Sequence, residues 1–85
     1  MIDNNKLIGE NIGKAIAKLL KEKGMSQGDV ARNSGLERSY VSAIVVGKIK
    51  YLRLYTIDKI AKSFNMSTVE FISYVLDHDQ RGKDV

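Results

Sequence analysis

The stretch from Gln27 to Val46 constrains the fold of this 85-residue chain more than any other part of it. Ala31, Gly35 and Val41 occupy positions at which two short, crossing helices need special side chains. Ala31 is small enough for a second helix to pass close to the first. Gly35 can take the left-handed backbone conformation that ends a helix and redirects the chain. The stretch therefore predicts two short helices joined by a tight turn.

The second of these helices has two different faces. Its apolar residues Val41 and Ile44 can face inward. Val30 of the first helix and Leu36 of the turn can face inward with them. The residues between them form a polar or small outer face made of Arg38, Ser39, Tyr40, Ser42 and Ala43. A DNA major groove accepts a helix with such a face. The pattern favours a DNA-binding helix-turn-helix, and an ordinary helical hairpin is the alternative.

The charge balance agrees with a polyanionic partner. Fourteen Lys and Arg oppose ten Asp and Glu, for a formal charge of +4. In a chain this short that excess is an argument for nucleic acid, although many small basic proteins bind no polyanion. The basic residues divide between the first predicted helix, where a solvated face is favoured over a phosphate-facing flank, and the motif region.

Several classes of function are excluded by composition. The chain has no cysteine, and its one histidine, His78, lies near the C-terminus, where a solvated side chain is expected. A disulfide framework, a cysteine-based zinc site and a Ser-His-Asp triad are therefore ruled out, and no metal site, cofactor or small-molecule ligand is predicted. No apolar run is long enough to span a membrane, and no signal peptide is evident. These features predict a cytoplasmic protein that is not an enzyme.

Helical periodicity divides the chain into five helices with no repeat. Residues 1–6 are predicted to be a flexible lead, residues 7–77 the folded domain, and residues 78–85 a disordered polar tail. The predicted helices are Leu7–Lys23, Gln27–Ser34, Glu37–Val46, a fourth capped by Thr56 and ending at Asn65, and a fifth opened by Ser67 and Glu70. The predicted fold class is therefore all-α. A domain this small would gain buried surface, and hence stability, from a second subunit.

The fifth helix carries two apolar stripes, and a small domain can bury only one of them fully. One stripe is Val69, Ile72 and Leu76, and the other is Phe71, Tyr74 and Val75. We predict that one stripe meets a second copy of the chain and assign this role to Val69, Ile72 and Leu76, with the second stripe as the other candidate. The alternative is that both stripes belong to the core or are partly exposed. The connector tyrosines Tyr51 and Tyr55 are likewise expected in the core or an interface rather than on DNA.

These motifs resemble the Cro and cI phage-repressor type of helix-turn-helix domain, also called the XRE family. The resemblance runs from about residue 8 to residue 76 and rests on Ile12-Gly13-Lys14, Lys21 to Gln27, Val30-Ala31, Gly35-Leu36, Tyr40-Val41-Ser42, Gly47-Lys48 and Lys59 to Lys62. Within that family, residues 36–42 are similar to the recognition helix of restriction-modification controller proteins. The resemblance implies a compact five-helix, lambda-repressor-like domain that binds double-stranded DNA.

The resemblance also implies roles for individual residues. Gln27 matches the glutamine that opens helix 2 and holds a DNA phosphate, and Arg38, Ser39, Tyr40 and Ser42 match positions that meet bases or nearby phosphates. Lys48, Lys50 and Arg53 fall in the loop that runs along the DNA backbone. Two departures stand out. Leu20 and Val45 replace a family ion pair, an exchange that is often neutral or stabilising, and the connector is longer and lacks the usual Asn-Pro.

Two functions are consistent with this pattern. The first is a sequence-specific transcriptional regulator that acts as a homodimer on a palindromic operator, such as a restriction-modification controller or a phage- or plasmid-type repressor. The alternative is an antitoxin-like interaction module that binds a protein partner through helix 5.

Overall fold

The computed structural model describes residues 9–83, with side chains described as far as Asp77. Within that range the chain forms five helices: α1 Gly9–Lys23, α2 Gln27–Ser34, α3 Arg38–Val45, α4 Leu54–Ser63 and α5 Thr68–Lys83. The predicted all-α class is confirmed. The predicted lead 1–6, with Leu7 and Ile8, lies outside the described residues, as does the side chain of His78. The backbone of α5 continues six residues past Asp77, where we had predicted that the domain ends.

One buried cluster joins all five helices. Phe64 and Phe71 are its largest members, and both are essentially inaccessible to solvent. The remaining buried apolar residues are Ile12, Ala15, Ile16, Leu19, Val30, Ala31, Val41, Ile44, Ile57, Ile60, Ala61 and Val75. Helix α1 packs against α3 and α5, α2 packs against α3 and α4, and α4 packs against α5. The two helices of the motif are thus fixed on one side by α1 and on the other by α4.

The ends of α2 follow directly from local chemistry. Ser26 is the N-cap, and its hydroxyl accepts a hydrogen bond from the Asp29 amide at 3.1 Å while its own amide donates to Asp29 at 2.9 Å. This reciprocal capping box satisfies amides that otherwise lack a partner. At the other end, Gly35 has a φ of 78° and its amide donates to the Ala31 carbonyl at 2.9 Å. The predicted roles of Ser26 and Gly35 are confirmed.

The prediction for the start of α4 is wrong. Thr56 is not the N-cap, because the helix begins at Leu54 with Arg53 as its N-cap. Thr56 lies inside the first turn and is buried. Arg53 makes no side-chain cap hydrogen bond, so the boundary carries none of the sequence signals of a capped helix. The end of the helix agrees with the prediction, since Asn65 takes a left-handed φ of 60°.

Close backbone packing sets the position of α3 and of the connector that follows it. A Cβ on Gly13 would overlap the carbonyl oxygen of Ile44, so α1 and α3 can approach this closely only with glycine there. A Cβ on Gly9 would overlap the carbonyl oxygen of Ile49. The Gly9 amide also donates a 2.6 Å hydrogen bond to the Lys50 carbonyl, which ties the connector to the start of α1.

Two side-chain bonds fix α5 against the rest of the domain. Thr68, the first residue of α5, donates its hydroxyl hydrogen bond to Asp58 of α4. Tyr74 donates from its hydroxyl to Glu22 near the end of α1 at 3.0 Å. The substituted ion-pair positions, Leu20 and Val45, are half-buried and pack against the core, as two apolar residues at such a site should.

Candidate nucleic-acid interface

The predicted phosphate-binding residue lies in the first turn of α2. Gln27 is its first residue and is half-buried, and Gly28 follows it. The N–H groups of a first helical turn have no acceptor within the helix, and the helix dipole adds partial positive charge there. The Asp29 N–H is already engaged by Ser26, and the Asp29 carboxylate offsets part of this positive charge. A phosphate contact by Gln27 at the start of α2 therefore stays a prediction.

Arg38, the first residue of α3, lies against this same turn. Its side chain is exposed, and its Nη1 and Cδ atoms come within 3.8 and 3.9 Å of the point where a Cβ on Gly28 would lie. The absence of a side chain on Gly28 leaves the guanidinium beside the α2 backbone. The Arg38 guanidinium and the first turn of α2 therefore meet at one edge of the motif.

The remaining predicted recognition residues also reach the surface of α3. Ser39 is exposed, while Tyr40, Ser42 and Ala43 are half-buried. On the opposite face Val41 and Ile44 are fully buried in the core. The predicted division of this helix into a buried apolar face and an accessible outer face is therefore present in the structure.

An ion pair and the capping box shape the electrostatics of α2. The pKa of Asp29 is lowered mainly because the Ser26 backbone N–H donates to its carboxylate, with a further contribution from the charge of Arg32. Arg32, which lies on the exposed surface of α2, forms an ion pair with Asp29. This pair leaves Arg38, rather than Arg32, as the unpaired arginine of the motif among the described residues.

The α3–α4 connector presents its three cations to solvent. Lys48, Lys50 and Arg53 are all exposed, and the Lys50 ammonium lies 5.5 Å from the centre of the Tyr51 ring. Gly47, at a φ of 84°, turns the chain out of α3, and the Lys48 amide donates to the Ala43 carbonyl at 2.9 Å. The connector is therefore a defined turn that carries positive charge directly after the recognition helix.

The two stripes of α5 are now distinguished. Phe71 and Val75 are fully buried, so their stripe belongs to the core. Of the predicted interface residues, Val69 is 73% exposed, and Ile72 and Leu76 are half-buried. Their stripe is therefore the one available to a partner, and its role in a dimer stays a prediction.

Sequence reasoning missed the glycine contacts at Gly9 and Gly13. Gly13 was noticed only as part of a family resemblance, although a glycine inside an amphipathic helical pattern is itself a signal of close packing. The sequence pattern also predicted that Tyr51 and Tyr55 lie in the core or in an interface. Both are about 70% exposed, which excludes the core and leaves a subunit interface or DNA as the surface that they contact.

Other kinds of site find no support in the part of the chain that the structure describes. No group of three or more His, Cys, Asp or Glu residues is arranged to hold a metal ion there. None of the described helices is long and apolar enough to cross a membrane.

Comparison with known proteins identifies the fold and the family. The family model of the Cro/C1-type HTH DNA-binding domain matches residues 15–77, which is most of the chain. The chain belongs to this family. Its resemblance to Cro and cI repressors, inferred from the motifs, is thereby confirmed, and the protein is a helix-turn-helix DNA-binding regulator. This family consists of DNA-binding regulators and is not a class of enzymes.

Individual proteins that the chain is similar to agree with this assignment. The chain is 31% identical over 72 residues to the uncharacterized HTH-type transcriptional regulator y4dJ of Sinorhizobium fredii, covering 85% of this chain and 87% of the relative. The restriction-modification controller protein C.AhdI from Aeromonas hydrophila matches with a TM-score of 0.66 and 32% identity, covering 74% of this chain and 94% of that one. Wild-type C.Esp1396I, another restriction-modification controller, matches with a TM-score of 0.74 and 29% identity, covering 86% and 94%.

Proposed function

We propose that this protein is a sequence-specific transcriptional regulator that binds a palindromic operator as a homodimer. The observation that carries the proposal is the meeting of Arg38 with the first turn of α2. That arrangement places a guanidinium beside a helix terminus suited to a phosphate, at the edge of an accessible recognition face.

Each contact residue has a chemical role in this proposal. Arg38 offers two parallel donors, which match the O6 and N7 acceptors of guanine. Ser39 and Ser42 are small donors to bases or phosphates, Tyr40 contacts a thymine methyl group or a phosphate, and the methyl group of Ala43 allows close approach to the groove. Gln27 binds a phosphate at the start of α2. Phosphate contacts fix the register of the protein on DNA and do not by themselves read sequence.

The connector supplies contacts to the DNA backbone. Lys48, Lys50 and Arg53 are exposed directly after α3, so they can follow the phosphates that flank the groove. Such contacts add affinity that is independent of sequence and falls as salt rises.

The dimer aligns two recognition helices with two half-sites. We place Val69, Ile72 and Leu76 at the subunit interface because this is the accessible apolar stripe of α5. A two-fold dimer presents the same surface twice, so its operator is palindromic. The likeness to C.AhdI and C.Esp1396I favours a restriction-modification controller over a phage- or plasmid-type repressor.

The test is a fluorescence anisotropy titration of the purified protein with DNA from upstream of its own gene. Random duplex serves as competitor at physiological salt. We expect saturation at two chains per site and resistance to the competitor. Binding that random duplex abolishes would contradict sequence-specific regulation and would favour a protein partner for α5.

A further inference from the structure

Glu37 is an exposed carboxylate at the beginning of the recognition helix that the fold itself does not use. It is the N-cap of α3, and its side chain makes no capping hydrogen bond. Its carboxylate belongs to none of the ion pairs among the described residues. A carboxylate with no bond inside the domain is available to act on a molecule outside it.

The other carboxylate of the motif is already engaged within the domain. Asp29 accepts a hydrogen bond from the Ser26 amide at 2.9 Å and forms an ion pair with Arg32. Outside the motif, the carboxylates with an internal partner include Glu10, Glu22, Asp58 and Glu70. Capping and helix packing therefore explain these acidic residues, but they do not explain Glu37.

The neighbouring arginine does not neutralise Glu37. The Arg38 side chain lies against the first turn of α2, with its Nη1 and Cδ atoms 3.8 and 3.9 Å from the Cβ position of Gly28. Side chains adjacent in sequence do not face each other on a helix, and these two described side chains form no ion pair. The first residues of the recognition helix therefore carry a positive and a negative charge that are separate from each other.

The position of Glu37 makes its charge unfavourable for DNA binding in general. The N-terminal residues of a recognition helix contact base edges in the major groove, which is flanked by phosphates. An unpaired carboxylate there is repelled by the phosphates of every duplex, whatever its sequence. Only a hydrogen-bond donor on the DNA can offset this repulsion, so Glu37 favours sequences that supply one.

The major groove contains one base that suits a carboxylate. An ionised carboxylate only accepts hydrogen bonds. Guanine presents N7 and O6 and thymine presents O4, and all three atoms are acceptors that repel a carboxylate. Adenine presents its N6 donor beside the N7 acceptor, whereas cytosine presents its N4 amino group with no acceptor of its own beside it. Cytosine is therefore the base to which Glu37 binds most favourably.

We propose that Glu37 is a specificity-determining residue that accepts a hydrogen bond from the N4 amino group of an operator cytosine and repels duplexes that lack a cytosine there. The inference rests on the proposed sequence-specific binding. A partner can be selected by penalising the wrong sequences as well as by contacts with the right one. Glu37 acts in both ways, whereas Arg38 beside it acts only by attraction.

The experiment compares wild type and Glu37→Gln by anisotropy titration against the operator and against random duplex at physiological salt. We expect Glu37→Gln to bind random duplex about threefold to tenfold more tightly, with a salt slope steeper by about one, because one repulsive charge is removed. Its affinity for the operator should stay the same or fall. The ratio of operator to random affinity should therefore fall by about threefold or more.

The matched control is Glu22→Gln. This substitution removes the same charge from the end of α1, and the glutamine keeps an oxygen that can accept from the Tyr74 hydroxyl. We expect it to leave the ratio of the two affinities unchanged. Urea unfolding of both variants checks that they are folded, and a protein that has lost its fold would not bind random duplex more tightly.

A second set of titrations identifies the base. Each operator cytosine is replaced in turn by deoxyzebularine, a nucleoside analogue that lacks the N4 amino group. At one position in each half-site, this replacement should weaken wild-type binding by about tenfold. It should weaken Glu37→Ala far less, because alanine has no acceptor for the missing group.

The contrary outcomes are distinct from one another. If Glu37→Gln tightened binding to the operator and to random duplex equally, Glu37 would be a general repulsive charge without readout, and the proposal would be wrong. Unchanged affinity for both would place Glu37 away from the DNA and would also overturn it. Wild-type binding that tolerates every loss of N4 would exclude cytosine as the base. If wild type itself showed no preference for the operator, the proposed function would fail instead.

Discussion

Arg38 is the residue whose substitution best distinguishes sequence readout from phosphate binding. Its guanidinium lies beside the first turn of α2 at the edge of the recognition face. We expect Arg38→Ala to weaken operator binding by about 1 to 3 kcal/mol and to relax the preference at one base pair. The measurement is a set of anisotropy titrations against operators that are altered one base pair at a time.

The control for Arg38 is a nearby arginine with a partner of its own. Arg32 is on the surface of α2 but is paired with Asp29, so Arg32→Ala should leave base preference unchanged. If Arg38→Ala instead lowered affinity equally for every sequence, Arg38 would be a phosphate ligand. In that case Ser39, Tyr40 and Ser42 would have to carry the readout.

Local chemistry explains why individual residues of the motif could be predicted. Ser26, Asp29 and Gly35 act through bonds to amides and carbonyls a few residues away, so their roles are written in short sequence patterns. Gly9 and Gly13 act through contacts with Ile49 and Ile44, which are distant in sequence. The sequence pattern of one helix does not indicate which distant segment of the chain will pack against it.

At the scale of elements, the contact between α1 and the connector positions the connector cations. A Cβ on Gly9 would overlap the Ile49 carbonyl, so Gly9→Ala must displace the connector or the start of α1. We expect a sequence-independent loss of DNA affinity and a salt slope that is shallower by about one, the change also expected for Lys50→Ala. Anisotropy titrations at several NaCl concentrations measure this slope.

A double variant separates positioning by Gly9 from a general loss of stability. In the Gly9→Ala background, Lys50→Ala should reduce DNA affinity little further, because the displaced connector has already moved the Lys50 ammonium away from the DNA backbone. The matched control is the Gly13→Ala background, in which α3 rather than the connector is displaced: affinity falls there too, but Lys50→Ala should keep its full effect. Fully additive effects of Gly9→Ala and Lys50→Ala would contradict the positioning role.

The attachment of α5 depends on carboxylates and therefore on pH. The pKa of Asp58 is lowered chiefly by the hydrogen bond from Thr68 and then by the one from Lys62. The pKa of Glu70 is lowered by the Ser67 backbone N–H and hydroxyl. A carboxylate with a lowered pKa in the folded state contributes stability above its unfolded pKa of about 4, and that stability is lost as pH falls through the folded value.

We therefore expect the free energy of unfolding to decrease as pH is lowered from about 5 toward 2. Urea unfolding, followed by circular dichroism across this range, measures the decrease. Asp58→Asn removes the carboxylate, and Thr68→Val removes the bond that lowers its pKa, so each variant should show a shallower decrease. An unchanged pH dependence in both would mean that the Asp58–Thr68 bond does not contribute to folding.

The boundaries of elements were predictable only where a cap marks them. The α2 boundaries agree with the prediction, whereas α4 begins at Leu54, two residues before Thr56, the residue we had predicted to cap it. Thr56 has the chemistry of an N-cap, but the chain reaches helical geometry earlier, and burial of Thr56 and Ile57 decides the outcome. Tertiary packing thus overrides local preference at a helix end that lacks a side-chain cap.

At the scale of the whole molecule, the distribution of hydrophobic residues predicted that one stripe of α5 would be left uncovered. It did not predict that large apolar residues are also exposed at the start of α4. The sequence pattern assigns Leu54 and Tyr55 to the connector. Their exposed positions on α4 follow only from the observed start of that helix at Leu54. A small domain with this much uncovered apolar surface is expected to gain stability from a second subunit.

That gain should make thermal unfolding depend on protein concentration. When a native dimer unfolds to two chains, mass action raises the Tm as concentration increases. With an unfolding entropy near 2.1 cal/mol/K per residue, an 85-residue chain should show a rise of about 4 °C per tenfold concentration while the native state is dimeric. Scanning calorimetry over a hundredfold concentration range measures it. Val69→Asp, at an exposed position, should abolish this dependence and leave α1 to α4 folded. A wild-type Tm that is independent of concentration would show that the folded chain is stable without a partner, and the coupling between subunit assembly and folding would be absent.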